Sequence, residues 1–171
     1  MGVRLSVCLI LSVASLLWSC GKPAANNADQ PAAPTEPASA PAPAAAAPTD
    51  AQKKALLATL PAAYQGADLD NGQAKFALCK SCHTTAQGGA DMTGPNLFGI
   101  FGRKAGAKAG FAYSDGLKAA GLTWDAPHLD TWITNPRGMV PATKMTYAGM
   151  ESAKDRTDLI AYLKVATSPA G

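Results

Sequence analysis

The clearest periodic stretch lies near the end of the chain, where Leu159, Tyr162, Leu163 and Ala166 recur at three- and four-residue spacing and share one helical face. Ser152, with Asp155 three residues later, makes a capping pattern ahead of it, and Pro169 closes it. A second apolar stripe, Gly72, Phe76 and Ala77, predicts a helix capped by Asp70 or Asn71 whose last turns carry Cys79 and Cys82. Gly72 would let the two backbones cross closely while Phe76 packs on Leu159 and Tyr162. A short helix is expected over Lys53–Leu60. Another starts near Asp125, where Pro127 preorganises the first turn and His128 is a surface residue without a role. The chain between these helices is different in kind. Glycines at 94, 99, 102, 106, 110, 116 and 121 exclude long regular elements and predict loops. The expected fold class is therefore all-α.

The front of the chain follows other rules. With 171 residues, 47% of them hydrophobic, the chain has room for one modest domain and something more. Residues 1–19 read as an export signal: Arg4 supplies the positive start, and the apolar run Leu5 to Leu17 is too short for an ordinary membrane-spanning helix. The sequence Leu16-Leu17-Trp18-Ser19-Cys20-Gly21 resembles a bacterial lipoprotein signal, which implies lipidation of Cys20 at the mature N-terminus, with an uncleaved anchor as the other option. Trp18 departs from the small or aliphatic residue usual there. Residues 20–50 form an Ala/Pro-rich flexible linker that holds seven of the thirteen prolines. It has no large apolar side chains to offset the entropy of folding, and at about 3.1 Å per residue it would reach roughly 80 Å. Residues 51–67 are a short helical lead-in, and residues 68–171 form the folded domain.

Cysteine usage sharpens the picture, because only Cys79 and Cys82 fall in that domain, spaced Cys-Lys-Ser-Cys-His. A disulfide redox pair needs no following histidine. A zinc site needs ligands the domain does not supply, since it has no further cysteine and His128 is its only other histidine. The remaining reading is c-type haem attachment, with thioethers at Cys79 and Cys82 and His83 on the iron. Residues three and four apart share a helical face, so all three can turn toward one flat ring.

Residues from about 68 to 166 resemble class I cytochrome c of the mitochondrial and alphaproteobacterial type. The likeness rests on the haem motif, Thr93-Gly94-Pro95-Asn96-Leu97, Phe101-Gly102-Arg103-Lys104, Gly110-Phe111-Ala112-Tyr113-Ser114-Asp115, Leu122-Thr123-Trp124, Pro141-Ala142-Thr143-Lys144-Met145 and Asp158-Leu159-Ile160-Ala161-Tyr162-Leu163-Lys164. It implies one covalent haem c in short helices and glycine-rich loops. Met145 is then the second axial ligand, and the Pro95 carbonyl accepts the other imidazole N–H of His83. Tyr113, Trp124 and Arg103 hold the haem propionates, and Thr143 bonds near them. Among its rivals Met92, Met139 and Met150, Met145 stands out by its surroundings and by the proline-stiffened loop before it, with Met139 next. Three departures bear on tuning. Ala142 replaces a usual glycine, Leu117 stands where asparagine is common, and Trp132 replaces a tyrosine that bonds the axial sulfur, offering only a donor.

A doubly ligated iron leaves outer-sphere electron transfer as its chemistry, so the resemblance implies a membrane-tethered bacterial electron carrier and no enzyme. Its expected partners are a quinol:cytochrome c oxidoreductase as donor and a haem-copper terminal oxidase as acceptor, met as a monomer at the periplasmic face. The alternatives are a haem peroxidase or gas-binding protein with labile Met145, and a haem module of a larger oxidoreductase. From Asp68 onward eight Lys and three Arg face nine acids, a net charge of +2. Lys80, Lys104, Lys108, Arg137 and Lys144 could ring the haem edge and steer it, or be no more than solvated surface. No aromatic-interleaved basic stripe points to nucleic acid.

Overall fold

Seven helices follow one another along the chain in the computed structural model, which describes residues 47–169: α1 Asp50–Ala58, α2 Ala62–Gln65, α3 Leu69–Phe76, α4 Asp115–Ala119, α5 Ala126–Thr134, α6 Pro136–Met139 and α7 Ala153–Ala166. The export signal 1–19, Cys20 and the linker up to residue 46 lie outside the described residues. No strand occurs among the described residues, and a lone antiparallel bridge joins Lys104 to Thr123. No helix among them is long and apolar enough to cross a membrane.

The helix starts are set by side chains that take up backbone N–H groups left free in a first turn. Thr49 and Gln52 form a reciprocal capping box on α1, Ser114 caps α4, Asp125 caps α5 and Ser152 caps α7. The cap of α3 is Asp68, whose carboxylate accepts from the N–H groups of Asp70 and Asn71 at 3.0 Å each. The capping expected of Asp70 or Asn71 is thus corrected. Asn71 is drawn away because its amide spans to α7, donating to Asp155 at 3.0 Å and to Asp158 at 2.7 Å.

The far end of α3 also departs from the expectation. The helix stops at Phe76, and Ala77, Leu78 and Cys79 bond carbonyls only three residues back, a tightening that turns the chain. Cys79 and Cys82 therefore sit in turns after the helix rather than in its last turns. Those turns carry the cysteines and His83 into the interior behind α3.

The crossing of α3 with α7 is the structural pivot. A Cβ built on Gly72 would stand 2.2 Å from the Asp158 carbonyl oxygen, so only glycine permits this approach. One turn on, the Phe76 and Tyr162 rings meet at 5.7 Å. α7 is covered around most of its circumference: Leu159 faces the core at 1% exposure, and Ile160 and Ala161 are fully buried. A helix apolar on several faces needs several neighbours. Here α3, α5, α1 and α2 all pack on it.

Candidate functional site: an apolar cleft between histidine and methionine

The loops between α3 and α4 would cost free energy to hold open without internal hydrogen bonds. Buried Asn96 supplies several of these. Its amide nitrogen donates to Thr84 Oγ1 at 2.6 Å and to the Ala86 carbonyl at 2.9 Å, and its oxygen accepts from the Phe98 N–H at 3.0 Å. Its own N–H donates to Asp91 at 2.7 Å, and Asp91 also takes the Lys108 ammonium. This brace shapes the segment that meets His83.

What it shapes is a largely apolar cleft, open to solvent at its edge. Leu97, Ile100, Leu117, Leu129, Ile133, Leu159 and Leu163 supply its greasy lining. Cys79, Cys82, His83, Pro95, Tyr113, Trp124, Trp132, Thr143 and Met145 all line it as well. These nine residues come from the turns after α3, the glycine-rich loops, the bridge region, α5 and the loop between α6 and α7.

His83 is the best-defined member. Its Nδ1 lies 2.7 Å from the Pro95 carbonyl. A carbonyl can only accept, so Nδ1 carries the proton and Nε2 keeps its lone pair free for a ligand. Burial holds the imidazole below its ordinary pKa, against the pull of that carbonyl, and favours the neutral form that can bind metal. Gly94 lies flat behind the ring: a Cβ there would come within 2.3 Å of His83 Cε1. Cys79 and Cys82 are free thiols, and burial, with Cys82 beside it, pushes the Cys79 thiol up to about 11.

The methionines separate by position. Met145 lines the cleft, Met139 packs against the core outside it, Met150 is buried elsewhere and Met92 is exposed. The Met145 loop is tied down on both sides. Its N–H donates to Thr143 Oγ1 at 3.2 Å, and Lys144 reaches across to the Ala112 carbonyl at 2.8 Å. Trp132 meets Trp124 edge-on at 5.4 Å.

Arg103 is the expected site residue that does not line the cleft. Its guanidinium donates instead to the carbonyls of Phe98 at 3.1 Å and Asn96 at 3.3 Å. It braces the loop wall next to Tyr113, on which its charge acts. Asn96 and Tyr147 are contributions the residue-by-residue reading missed. Tyr147, two residues after Met145, lines the cleft close to Cys79.

The residues fit a haem. A flat apolar ring suits the lining, imidazole and thioether are donors suited to iron, and two thiols stand beside the histidine. Tyr113, Trp124 and Thr143 supply the donors that carboxylate arms require. That combination defines a c-type haem protein.

Comparison with known proteins narrows the class. The family model described as cytochrome c matches residues 69–167. The cytochrome c of Theileria parva is 49% identical over 90 residues, covering 53% of this chain and 77% of the relative. Cytochrome c2 of Rhodoplanes tepidamans is 46% identical over 96 residues, 56% of this chain and 90% of that one. The solved structure of cytochrome cH from Methylobacterium extorquens superposes with a TM-score of 0.54 at 44% identity, over 57% of this chain and 97% of that chain. The chain belongs to the cytochrome c family, as a class I member: an electron carrier with one covalently attached haem c. Helices α1 and α2 lie ahead of the matched residues.

Proposed function

We propose that this chain carries single electrons through an iron held by His83 and Met145, with the haem joined to Cys79 and Cys82. The observation that carries the reading is that His83 and Met145 open into one cleft, and that no other described methionine does. When bound, the haem supplies a one-electron iron couple. The chain does the rest. His83 is held in one tautomer by Pro95, Met145 is held by its strapped loop, and the leucine-rich lining keeps water from the iron. Tyr113, Trp124, Arg103 and Thr143 are assigned to the propionates, and the indole of Trp132 to the surroundings of the Met145 sulfur. With His83 and Met145 both holding the iron no ligand position would be left open, so the chain acts as a carrier and not as a peroxidase or gas-binding protein.

The working place follows from the front of the sequence. Residues 1–19 direct export, lipidated Cys20 anchors the chain on the periplasmic side, and the linker 20–50 gives the domain 68–171 reach. A monomer on such a tether serves a quinol:cytochrome c oxidoreductase as donor and a haem-copper terminal oxidase as acceptor.

Met145→Ala tests the ligation. The wild type is expected to show a low-spin oxidised spectrum and to ignore carbon monoxide. The variant is expected to turn high-spin, bind carbon monoxide, and drop in potential by on the order of 0.1 V or more, within the roughly 0.8 V that axial ligands command. An unchanged spectrum in the variant refutes Met145 as ligand. Mass spectrometry of the mature N-terminus tests the tether: a chain beginning at unmodified Cys20, or cut after it, removes the lipid.

A further inference from the structure

Residues 140–150 carry Met145, and the backbone does little to hold them. At the far end the Met150 N–H donates to the Ile133 carbonyl at 2.9 Å, and at the near end the Thr143 N–H closes a turn onto the Val140 carbonyl at 2.9 Å. Among the described residues, none from 144 to 149 makes a backbone–backbone hydrogen bond. The place of Met145 therefore depends on what the turn at 140–143 rests on.

It rests on the start of α4. A Cβ built on Gly116 would stand 3.2 Å from Val140 Cγ1 and 3.4 Å from the Ala142 Cβ. Val140 is 5% exposed, so its side chain has little room to turn away. On either side of Gly116, Ser114 and Leu117 are buried and line the cleft, which holds α4 in place. Lys144 ties the same segment to the Met145 loop through the Ala112 carbonyl at 2.8 Å.

On local grounds glycine is a poor choice at 116. The position lies inside a five-residue helix, where alanine is favoured, and its φ is outside the left-handed region that calls for glycine. What glycine supplies is room. The Val140 and Ala142 methyl groups border the space that a side chain at 116 would take.

We infer that Gly116 is a positioning residue for Met145: its missing side chain seats the turn 140–143 against α4, and that seat sets how firmly Met145 is presented to the haem iron. The inference rests on the Met145 ligation proposed above and names a further residue that controls it.

Binding of imidazole to the oxidised, haem-loaded full chain reads the seat directly, because imidazole reaches the iron only when Met145 leaves it. In Gly116→Ala the new methyl overpacks the seat, and the binding rate is expected to rise about tenfold. The urea midpoint of the same variant is expected to hold or rise, because alanine favours the helix. In the Val140→Ala background, where Cγ1 is gone, adding Gly116→Ala is expected to change the rate by less than about threefold. A Gly116→Ala rate within about threefold of the wild type overturns the inference and leaves Met145 ligation intact. So does a rise of more than about threefold that persists in the Val140→Ala background, since the contact is then not its cause. A faster rate accompanied by a lower urea midpoint also overturns it, assigning the effect to general loosening. If Met145→Ala itself binds imidazole no faster than the wild type, the ligation and this inference fall together.

Discussion

A single missing side chain decides how the histidine is held. Gly94 lies so close to the His83 ring that an added methyl would stand 2.3 Å from Cε1 and 2.7 Å from both nitrogens. The backbone cannot retreat freely, because the Gly94 N–H is bonded to the Cys82 carbonyl at 2.9 Å. Gly94→Ala should therefore push the imidazole off its 2.7 Å contact with Pro95. Overpacking of this kind costs about 1–3 kcal/mol, and here it also moves a ligand. The expected result is a lower yield of covalently loaded protein and a shifted absorption spectrum in what does mature. Wild-type yield and spectrum in Gly94→Ala would refute the account. Much of this neighbourhood could be read from residue order, because Cys79, Cys82 and His83 have chemistry that few other arrangements need. The position of Arg103 could not. Its partners are the carbonyls of Asn96 and Phe98, and where backbone oxygens point depends on loop geometry that side-chain identity does not encode.

The pairing of α3 with α7 adds a charged layer to the glycine contact. Asp158 is 2% exposed, yet its carboxylate accepts from the Lys154 ammonium, the Asn71 amide at 2.7 Å and the Asp68 N–H at 2.9 Å. Burial alone raises the pKa of such a group, but these donors outweigh it and hold the carboxyl below the usual carboxylate range. A folded-state pKa below the unfolded one means stabilisation that is complete above the unfolded value, near 3.9, and is lost as pH falls through the folded value. The part of the urea midpoint owed to Asp158 should thus be steady from neutral pH down to about 5 and fall away below about 4. Asp158→Asn has no proton to gain there. It should start about 1–3 kcal/mol less stable at neutral pH, with the buried donors left poorly matched, and show a shallower fall in acid. Equal acid slopes in the two proteins would remove Asp158 as the cause. α3, α7 and their glycine crossing are legible from apolar spacing, which records what faces the core, whereas the single turn α6, Pro136–Met139, falls where the two prolines suggest only a stiff loop. The cap at Asp68 and the early end of α3 are not legible either. Both depend on competition: Asn71 is claimed by α7, and the turns after Phe76 are set by where Cys79 and Cys82 must go.

The domain as a whole is larger than the stretch it shares with its family. α1 and α2 precede the matched residues 69–167, yet they pack on α7, and Leu60 between them is 6% exposed within the core. Leu57 and Tyr64 flank it against the same core. Among the described residues none before Phe76 lines the cleft. The lead-in therefore covers α7 on a face the haem does not use, and the two ends of the molecule should be separable by mutation. Leu60→Ala removes buried methyl groups at a position that touches no ligand. It should lower the unfolding free energy by about 2–3 kcal/mol, the lower part of the range for such cavities. Reduction potential and absorption spectrum should stay at wild-type values under native conditions. Sequence spacing located this helix within a few residues but gave it no purpose, because its partner face lies about a hundred residues away on α7. If Leu60→Ala leaves denaturant midpoints unchanged, the lead-in is only the end of the linker. If instead it shifts the potential, α7 transmits packing from its covered face to Leu159 and Leu163 in the cleft, and the two faces are coupled.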